Sequence, residues 1–291
     1  MSSKSTLYLA ALAPILWGTT YIVLKDFLPP DHPMGMAAWR ALPAGLVLWL
    51  FSREIPHGIW WLRATILGAL NFAIFWTFLF YAAYALPGGV AATLGALQPL
   101  MVVFLVRIVL HRRIRPRSFF AASLGALGIA VLVLTPSATL DPLGILAGIV
   151  AAASMALGNV LTRRWTPPVS LVGFVSWQLI AGGLMIAGLA AIFEPPMPSF
   201  TAQNWLALAY LAGFGTAGAV FLWFRGLATQ DTEIISALGL LSPITAVLVG
   251  WTFAGETLSP LQIGGAIITL WAVWLAQTKA KSPQPTVEQT Q

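Results

Sequence analysis

Residues 95–99 read Gly-Ala-Leu-Gln-Pro, and residues 239–243 read Gly-Leu-Leu-Ser-Pro. The two stretches lie 144 positions apart, and the same offset places Pro116 on Pro260. Matches at a fixed offset indicate an internal duplication, and this unit is much longer than the roughly 20–50 residues of a solenoid repeat. The sequence therefore predicts a molecule made of two related halves.

Both stretches lie within long apolar runs. Of the 291 residues, 58% are hydrophobic and 8% are charged, and the mean hydropathy is +0.85. A soluble domain does not need this much apolar surface, whereas a helix of about 20 apolar residues crosses a bilayer. The sequence predicts ten spans, over residues 7–25, 34–51, 62–85, 88–109, 116–134, 142–162, 168–193, 203–226, 232–252 and 259–278. The runs are too long and too evenly apolar for a membrane β-barrel, so the predicted fold class is all-α integral membrane.

Ten spans give five to each half, over residues 1–138 and 139–280. Because five is odd, the second half enters the bilayer upside down, which makes the duplication an inverted repeat. Inverted repeats around a central cavity have two arrangements of similar energy, one open to each side, and this is the basis of alternating access. A duplication retained only for packing is the alternative. Residues 281–291, rich in Pro, Gln and Thr, are expected to form a disordered cytoplasmic tail.

The cations are distributed unevenly between the two sides that ten spans define. One side holds most of them, among them Arg107, Arg112, Arg113, Arg115, Arg117, Arg163 and Arg164. Cytoplasmic loops carry an excess of Lys and Arg, so both termini are expected in the cytoplasm. The pI of about 10.1 follows from this topology and does not indicate nucleic-acid binding.

Residues that could form a chemical centre are scarce. The chain has no cysteine, which excludes disulfides, thiolate metal sites and redox-active thiols. His32, His57 and His111 fall in loops or at span edges, without a His-Glu metal motif or a Ser-His-Asp set. We therefore expect no cofactor, no metal and no enzymatic activity, and an integral-membrane enzyme is the less favoured alternative to a carrier.

The residues around the duplicated stretches resemble a known family. Residues 90–94 (Val-Ala-Ala-Thr-Leu) lead into residues 98–100 (Gln-Pro-Leu), and Ser242-Pro243 is followed by residues 255–265 (Gly-Glu-Thr-Leu-Ser-Pro-Leu-Gln-Ile-Gly-Gly). These motifs look like the EamA branch of the drug/metabolite transporter superfamily, over essentially the whole chain. The resemblance implies ten helices in two inverted five-helix repeats, and export of small metabolites across the bacterial inner membrane. Where the second repeat has Gly-Glu at 255–256, the first has His-Arg at 111–112, so a role shared by both Glu positions in relatives is not carried over.

Within that family, the abundance of aromatic residues is most similar to the aromatic amino-acid exporter branch. Amino acids, aromatic or otherwise amphipathic, are therefore the first expected substrates, and sugars, nucleotide derivatives and drugs are the rivals. The expected partners are a small-molecule substrate and the lipid bilayer. Small-residue pairs in the spans are explained by internal packing, so a monomer is expected. No span has an acidic residue near its midpoint, and downhill export without a coupled ion is the simplest mechanism.

Arg40 is the most unusual residue within a span, because it lies about six positions, or about 9 Å, inside the second one. A charge at that depth costs several kcal/mol unless it meets water, a partner or a substrate. Binding of a substrate carboxylate is one interpretation, and snorkelling to the outer interface or capping of a neighbouring helix end is the other. Aromatic and polar residues of other spans could line a cavity or only join helices. The expected substrate-binding residues are Trp17, Thr20, Tyr21, Arg40, Asn71, Tyr81, Tyr84, Gln98, Asn159, Trp177 and Tyr210.

Four prolines have predicted roles. Pro99 and Pro243 lie near the middle of spans four and nine, where each removes a helix hydrogen bond. Because they occupy equivalent positions, we expect a symmetric pair of gates, with static kinks as the alternative. Pro116 and Pro260 stand at helix starts, the second behind the capping residue Ser259, and are expected to be structural.

Overall fold

The computed structural model describes residues 3–29, 32–86, 93–133, 141–253 and 259–277, and every regular element in these ranges is helical. The N-terminal helices are α1 (Ser3–Phe27), α2 (Pro33–Ser52), α3 (Trp60–Gly68), α4 (Phe75–Ala85), α5 (Gln98–Val109) and α6 (Pro116–Val133). The C-terminal helices are α7 (Pro142–Arg164), α8 (Leu171–Phe193), α9 (Ala202–Ala212), α10 (Ala219–Thr229), α11 (Thr232–Leu238), α12 (Leu241–Phe253) and α13 (Pro260–Gln277). The π-helical segments Ala69–Ile74 and Gly213–Gly218 join α3 to α4 and α9 to α10 as continuous rods.

Eight helical rods in the described ranges are long and apolar enough to cross a membrane. Two shorter apolar helices, Thr93–Val109 and Pro116–Leu132, accompany them. The corresponding predicted spans, 88–109 and 116–134, extend into residues that lie outside the described ranges. The predicted all-helical, multi-pass membrane class is confirmed, and the count of ten spans stays a prediction.

Two helix starts carry the residues that the sequence predicts for them. Pro116 and Pro260 are the first residues of α6 and α13, where a missing N–H leaves no helix hydrogen bond unmade. Ser259 Oγ accepts from the N–H of Gln262 at 3.3 Å, and Gln262 Oε1 accepts from the N–H of Ser259 at 2.9 Å. This capping box fixes the start of α13.

Both duplicated Gly-x-x-x-Pro stretches contain a helix break. The α-helical hydrogen bonding is interrupted at residues 96–97 and again at residues 239–240, directly before α5 and α12, where N–H groups donate to carbonyls three residues earlier. Proline cannot donate to the carbonyl four residues earlier, and its ring clashes with that carbonyl. In both stretches this carbonyl belongs to the opening glycine. The interruptions therefore precede Pro99 by two to three residues and Pro243 by three to four, and each proline lies near the start of the following helix.

Helices α2 and α8 pack against each other in opposite directions. A Cβ atom built at Gly45 would lie 3.0 Å from the backbone N of Ile180, and one built at Gly183 would lie 2.8 Å from a side-chain carbon of Leu42. The later residue on α2 meets the earlier residue on α8, so the two helices are antiparallel. Their small residues let the backbones approach closely.

Helices α6 and α13 cross in the same way, and their first residues are related by the 144-residue offset. A Cβ built at Gly128 would lie 2.8 Å from the backbone N of Thr269, and one built at Gly265 would lie 2.5 Å from the backbone N of Leu132. A side chain at either glycine would force the helices apart. The crossing is again antiparallel.

A large hydrophobic core lies between α1, α2, α8 and α10. It combines small residues such as Ala10 and Ala41 with the rings of Phe72, Trp76 and Trp223. The alanines let the helix backbones approach closely, and the rings pack into the space between them. The candidate site is built into this core.

Candidate substrate-binding site

Arg40 lies inside the bundle, seven residues after Pro33 on α2, which is about 10 Å along the helix. Its side chain is 5% exposed. Nε donates to Thr216 Oγ1 at 2.9 Å, and Nη2 donates to the carbonyl oxygen of Gly215 at 3.1 Å. The guanidinium carbon lies 4.8 Å from the ring centre of Trp76, within cation–π range. The described contacts of the guanidinium thus include a hydroxyl, a backbone carbonyl and an indole face, all within the protein.

Two acceptors of Arg40 belong to the π-helical segment Gly213–Gly218. A π turn is bonded from residue i to i+5, and such segments inside α-helices are frequent at functional sites. The carbonyl of Gly215 also accepts from Trp17 Nε1 at 3.1 Å. A Cβ built at Gly215 would lie 3.8 Å from Thr20 Oγ1. The segment thus brings together Trp17, Thr20 and Arg40, three of the predicted residues.

Tyr210, a fourth predicted residue, lies beside this group. Its hydroxyl is 2.7 Å from Thr19 Oγ1, and its ring centre is 5.9 Å from that of Phe214. Because Thr19 and Thr20 are neighbours on α1, Tyr210 extends the polar and aromatic surface away from Arg40.

The other π segment, Ala69–Ile74, holds a second polar cluster made of neutral groups. Asn71 Nδ2 donates to Gln178 Oε1 at 2.9 Å and to Thr162 Oγ1 at 3.4 Å. Gln178 lies seven residues after the first residue of α8, as Arg40 does on α2. Because α2 and α8 are antiparallel, the two side chains lie toward opposite ends of the bundle, one charged and one neutral.

Two indole rings connect Arg40's surroundings to further polar residues. The ring centres of Trp17 and Trp223 are 5.2 Å apart, and Trp223 Nε1 donates to Asn159 Oδ1 at 3.3 Å. A Cβ built at Gly239 would lie 3.7 Å from both Gln98 Oε1 and Trp223 Cη2. The predicted residue Asn159 therefore contacts this indole at Nε1, and Gln98 lies beside Gly239, near its Cη2 edge.

Two predicted residues lie away from this assembly. Tyr81 is 49% exposed on α4, and Trp177 is buried in a separate cluster with Trp60. The side chains of Tyr21 and Tyr84 lie outside the described residues. Because a spanning helix is apolar on its lipid face as well as its inner face, the sequence pattern does not show which rings point inward.

Sequence reasoning did not identify the carbonyl of Gly215 or the ring of Trp76 as contacts of Arg40. A backbone oxygen has no side-chain signature. The available signal is the run Gly-Phe-Gly-Thr-Ala-Gly over residues 213–218, since three glycines within one apolar span are unfavourable for a regular helix.

Carboxylates in the described helices lie only at helix ends. Asp26 is the penultimate residue of α1, and Glu233 is the second residue of α11. Among the described residues, no three His, Asp or Glu side chains are grouped closely enough to hold a metal ion. The interior of the described bundle thus offers a ligand one cation, neutral hydrogen-bonding groups and indole faces.

A charged cluster connects two loops at one end of the bundle. Arg112 and Arg115 donate to the carboxylate of Asp231 at 3.3 and 2.6 Å. The hydrogen bond to Asp231 raises the pKa of Arg115 above its ordinary value, against the opposing effect of burial. A groove of about 330 Å³ adjoins the cluster and is lined by these two arginines, Arg113 and Glu233. The charge pattern predicts that this end faces the cytoplasm.

A second groove, of about 390 Å³, is almost wholly apolar. It lies between the π segment Ala69–Ile74, α4 and α8. Neither groove is lined by Arg40, and the predicted central cavity stays a prediction.

The sequence profile described as the EamA-like transporter family matches residues 4–134 and again residues 142–278. Protein PecM of Dickeya dadantii (strain 3937) is 41% identical over 270 residues, which cover 92% of this chain and 91% of PecM. The uncharacterized inner membrane transporter YedA of Escherichia coli (strain K12) is 28% identical over 90% of this chain and 87% of its own length. A probable amino-acid metabolite efflux pump of Salmonella typhimurium is 24% identical over 94% of this chain and 95% of its own length.

A solved structure with the description "Crystal structure of protein" has the same fold. It superposes with a TM-score of 0.80 over 95% of this chain and 97% of the other chain, at 20% sequence identity. At this identity the likeness concerns the fold alone.

Proposed function

Because this chain belongs to the EamA-like transporter family, we propose that it exports small metabolites across the bacterial inner membrane, with aromatic or otherwise amphipathic amino acids as its substrates. Family membership makes it a multi-pass membrane protein of a metabolite and drug transporter family. The direction, the substrate and the absence of enzymatic activity are our inferences. One relative is named an inner membrane transporter and another an amino-acid metabolite efflux pump, and both names agree with the proposal.

The buried position of Arg40 carries the substrate assignment. In the described helices it is the charged residue farthest from a helix end, and it is held by Thr216, Gly215 and the ring of Trp76. Guanidinium groups bind carboxylates through charge-assisted hydrogen bonds, and a water-poor interior strengthens such bonds. An amino-acid carboxylate is a ligand of matching charge and shape.

The indoles next to Arg40 support an amphipathic substrate. Trp76 lies against the guanidinium, and Trp17 shares the Gly215 carbonyl with it. Indole faces stack with other rings and also attract cations. They therefore suit both an aromatic side chain and the ammonium group of an amino acid, for which the described interior has no carboxylate.

Two halves related by inversion provide a route to alternating access, and four features support this relation here. The π segments 69–74 and 213–218 are separated by the 144-residue offset. The breaks before Pro99 and Pro243 occupy nearly equivalent positions. Helices α2 and α8, and likewise α6 and α13, cross in antiparallel fashion. The family profile also matches the chain twice.

The complete proposal is a monomer in the lipid bilayer with ten spans. Its halves are residues 1–138 and 139–280, with a cytoplasmic tail over 281–291 and both termini in the cytoplasm. Pro99 and Pro243 are the gating positions of the two halves.

Transport by the purified chain in lipid vesicles tests the substrate class. Vesicles without an imposed pH gradient are loaded with labelled phenylalanine, and its loss is compared with that of small polar amino acids, charged amino acids and sugars. We expect saturable efflux, fastest for amphipathic amino acids. Saturation separates a carrier from a pore, and protein-free vesicles provide the background.

Two results would contradict the proposal. Efflux of sugars without efflux of amino acids would contradict the proposal that amino acids are the substrates and that Arg40 binds their carboxylate. Strict dependence on a proton gradient would remove the uncoupled mechanism.

The absence of cysteine allows a direct test of topology. Single cysteines introduced as Ser3→Cys and Ser282→Cys in the full chain are exposed to a membrane-impermeant maleimide in intact and in permeabilised cells. We expect both to react only after permeabilisation. Reaction of one terminus in intact cells would place the termini on opposite sides and exclude the inverted repeat.

A further inference from the structure

Several buried polar atoms have no hydrogen-bond partner within the part of the chain that the structure describes. Three of them, Gln98 Nε2, Asn159 Nδ2 and Ser236 Oγ, belong to residues that adjoin Trp223 or the neighbouring Gly239. The residues are 8%, 0% and 0% exposed, respectively. The other two, Asn71 Oδ1 and Thr77 Oγ1, lie in or near the first π segment. Buried polar groups in native proteins are nearly always paired, so an unpaired group requires an explanation.

The indole that relates the three residues is Trp223. Its Nε1 donates to Asn159 Oδ1 at 3.3 Å, and its Cη2 lies 3.7 Å from a Cβ built at Gly239, as does Gln98 Oε1. The backbone N–H of Gly239 donates to the backbone carbonyl oxygen of Ser236 at 3.0 Å. Ser236 therefore lies on α11, one turn before Gly239. The three side chains thus come from three different helices, α5, α7 and α11.

Both helix breaks adjoin this group. Gln98 is the first residue of α5, directly after the break at 96–97, and Gly239 lies in the break before α12. Backbone N–H groups at both breaks donate to carbonyls three residues earlier, as those of Leu97 and Gly239 do at 3.1 and 3.0 Å. Interrupted helices form the substrate sites of many membrane transporters.

The unpaired atoms are all hydrogen-bond donors. The two amide nitrogens can only donate hydrogen bonds, and the hydroxyl can donate as well. The acceptor of the Asn159 amide is already used by Trp223. These groups therefore require a ligand that brings a hydrogen-bond-accepting oxygen.

We propose that Gln98 and Ser236, which both adjoin Gly239, form a donor subsite beside Trp223 that binds an acceptor oxygen on the side chain of the transported compound, such as the hydroxyl of tyrosine. The subsite rests on the proposed amino-acid function and narrows it. A site with buried donors discriminates against an otherwise identical ligand that lacks the acceptor, because the donors then stay unpaired. Tyrosine is therefore preferred to phenylalanine.

The full chain in vesicles, supplied with labelled tyrosine or phenylalanine, tests this preference. The measured quantity is the ratio of kcat/KM for tyrosine to kcat/KM for phenylalanine. In wild type we expect a ratio above one. In Gln98→Leu and in Ser236→Ala the ratio should fall by about 2- to 12-fold, the range of one neutral hydrogen bond.

Gln178→Leu is the matched control. Gln178 is a fully buried amide whose two ends are paired within the protein, with Asn71 Nδ2 and the carbonyl of Phe174. Its loss should lower stability and change tyrosine and phenylalanine transport by the same factor. Equal losses for both compounds in the Gln98 and Ser236 variants would assign their polar atoms to bound water alone and overturn the subsite.

Thermal melting of the same purified variants separates the subsite from the proposed function. Because Gln98 Nε2 and Ser236 Oγ have no described partner, their removal should leave the melting temperature unchanged or raise it, unlike Gln178→Leu. If wild type transports neither tyrosine nor phenylalanine, the proposed function fails. The melting temperatures of the variants then test whether Gln98 Nε2 and Ser236 Oγ are unpaired in the fold. Melting temperatures lowered as much as in Gln178→Leu would show that the groups are paired within the fold and would overturn the subsite.

Discussion

Replacing Arg40 with methionine removes the buried cation and keeps a side chain of similar length. The change deletes the hydrogen bonds to Thr216 and Gly215 and the contact with Trp76. A hydrogen bond to a charged group contributes about 1.5–3 kcal/mol. If the substrate carboxylate is held by this cation, its loss lowers kcat/KM by about 10- to 150-fold, at about 1.4 kcal/mol per factor of ten.

The folded state should change less than transport does. The hydrogen bonds to Thr216 and Gly215 are lost, but the cost of keeping a charge in a water-poor interior, several kcal/mol, is relieved at the same time. We therefore expect the Arg40→Met chain to reach the membrane in amounts close to wild type. Quantitative immunoblotting of membranes gives this reference for the transport rate.

The assay compares two inhibitors of labelled phenylalanine efflux. Unlabelled phenylalanine has the carboxylate, and phenethylamine has the same ring and amine without it. Wild type should be inhibited more strongly by phenylalanine, and Arg40→Met should lose this difference. Arg63→Met is the control, because Arg63 also lies against indoles, 5.0 Å from Trp60 and 5.5 Å from Trp165, but near the start of α3. Efflux of phenylalanine by Arg40→Met within about threefold of wild type would refute the carboxylate assignment.

Three further perturbations test other parts of the structure. Pro99→Ala and Pro243→Ala should each lower the efflux rate more than the amount of protein in the membrane, because restored helix hydrogen bonds stiffen the breaks. Asp231→Asn should lower the free energy of unfolding by less than about 1 kcal/mol, since the ion pairs are partly exposed. Because its pKa is raised, Arg115 contributes to the free energy of unfolding at every pH below its ordinary pKa and loses this contribution only at higher pH. The effect of Asp231→Asn should therefore not vary across the neutral range. It should shrink in high salt, which screens the ion pairs. Gly128→Ala should lower stability by about 1–3 kcal/mol, because the new Cβ meets the backbone of α13.

Each of these perturbations has a contradicting outcome. Unchanged efflux in both proline variants would identify static kinks. A strong pH dependence of the Asp231→Asn effect near neutrality would require a different titrating group. Gly264→Ala is the control for the helix crossing, because a Cβ there meets nothing within 4 Å. If both glycine variants melt at the same temperature, the close approach of α6 and α13 contributes nothing to stability.

Properties that depend on composition along the chain could be predicted from the sequence. The spans follow from apolar runs, and the starts of α6 and α13 follow from Pro116 and Pro260. Arg40 was identifiable because a charge within an apolar run is energetically costly and therefore rare. The positions of the helix breaks follow from the chemistry of proline.

Properties that depend on the direction of a side chain or on the backbone could not be predicted in the same way. Tyr81 and Tyr210 both lie in apolar spans, yet one is 49% exposed and the other is hydrogen-bonded to Thr19. Lipid and protein interior are both apolar, so hydropathy does not distinguish the two faces. The role of Gly215 depends on its carbonyl oxygen, which every residue possesses.

The wide turn over residues 213–218 has a consequence for motion. A π-helical turn contains one residue more than an α-helical turn. If the π turn shifts by one residue along the helix, the side chain that it passes rotates by about 100° about the helix axis, and the helix stays continuous. Trp17 and Arg40 both donate a hydrogen bond to the Gly215 carbonyl oxygen. These two bonds hold the π-helical turn at its present position along the helix. A ligand that draws Arg40 away from that oxygen removes one of these two hydrogen bonds, so we expect ligand binding to ease rotation of α10 relative to α9.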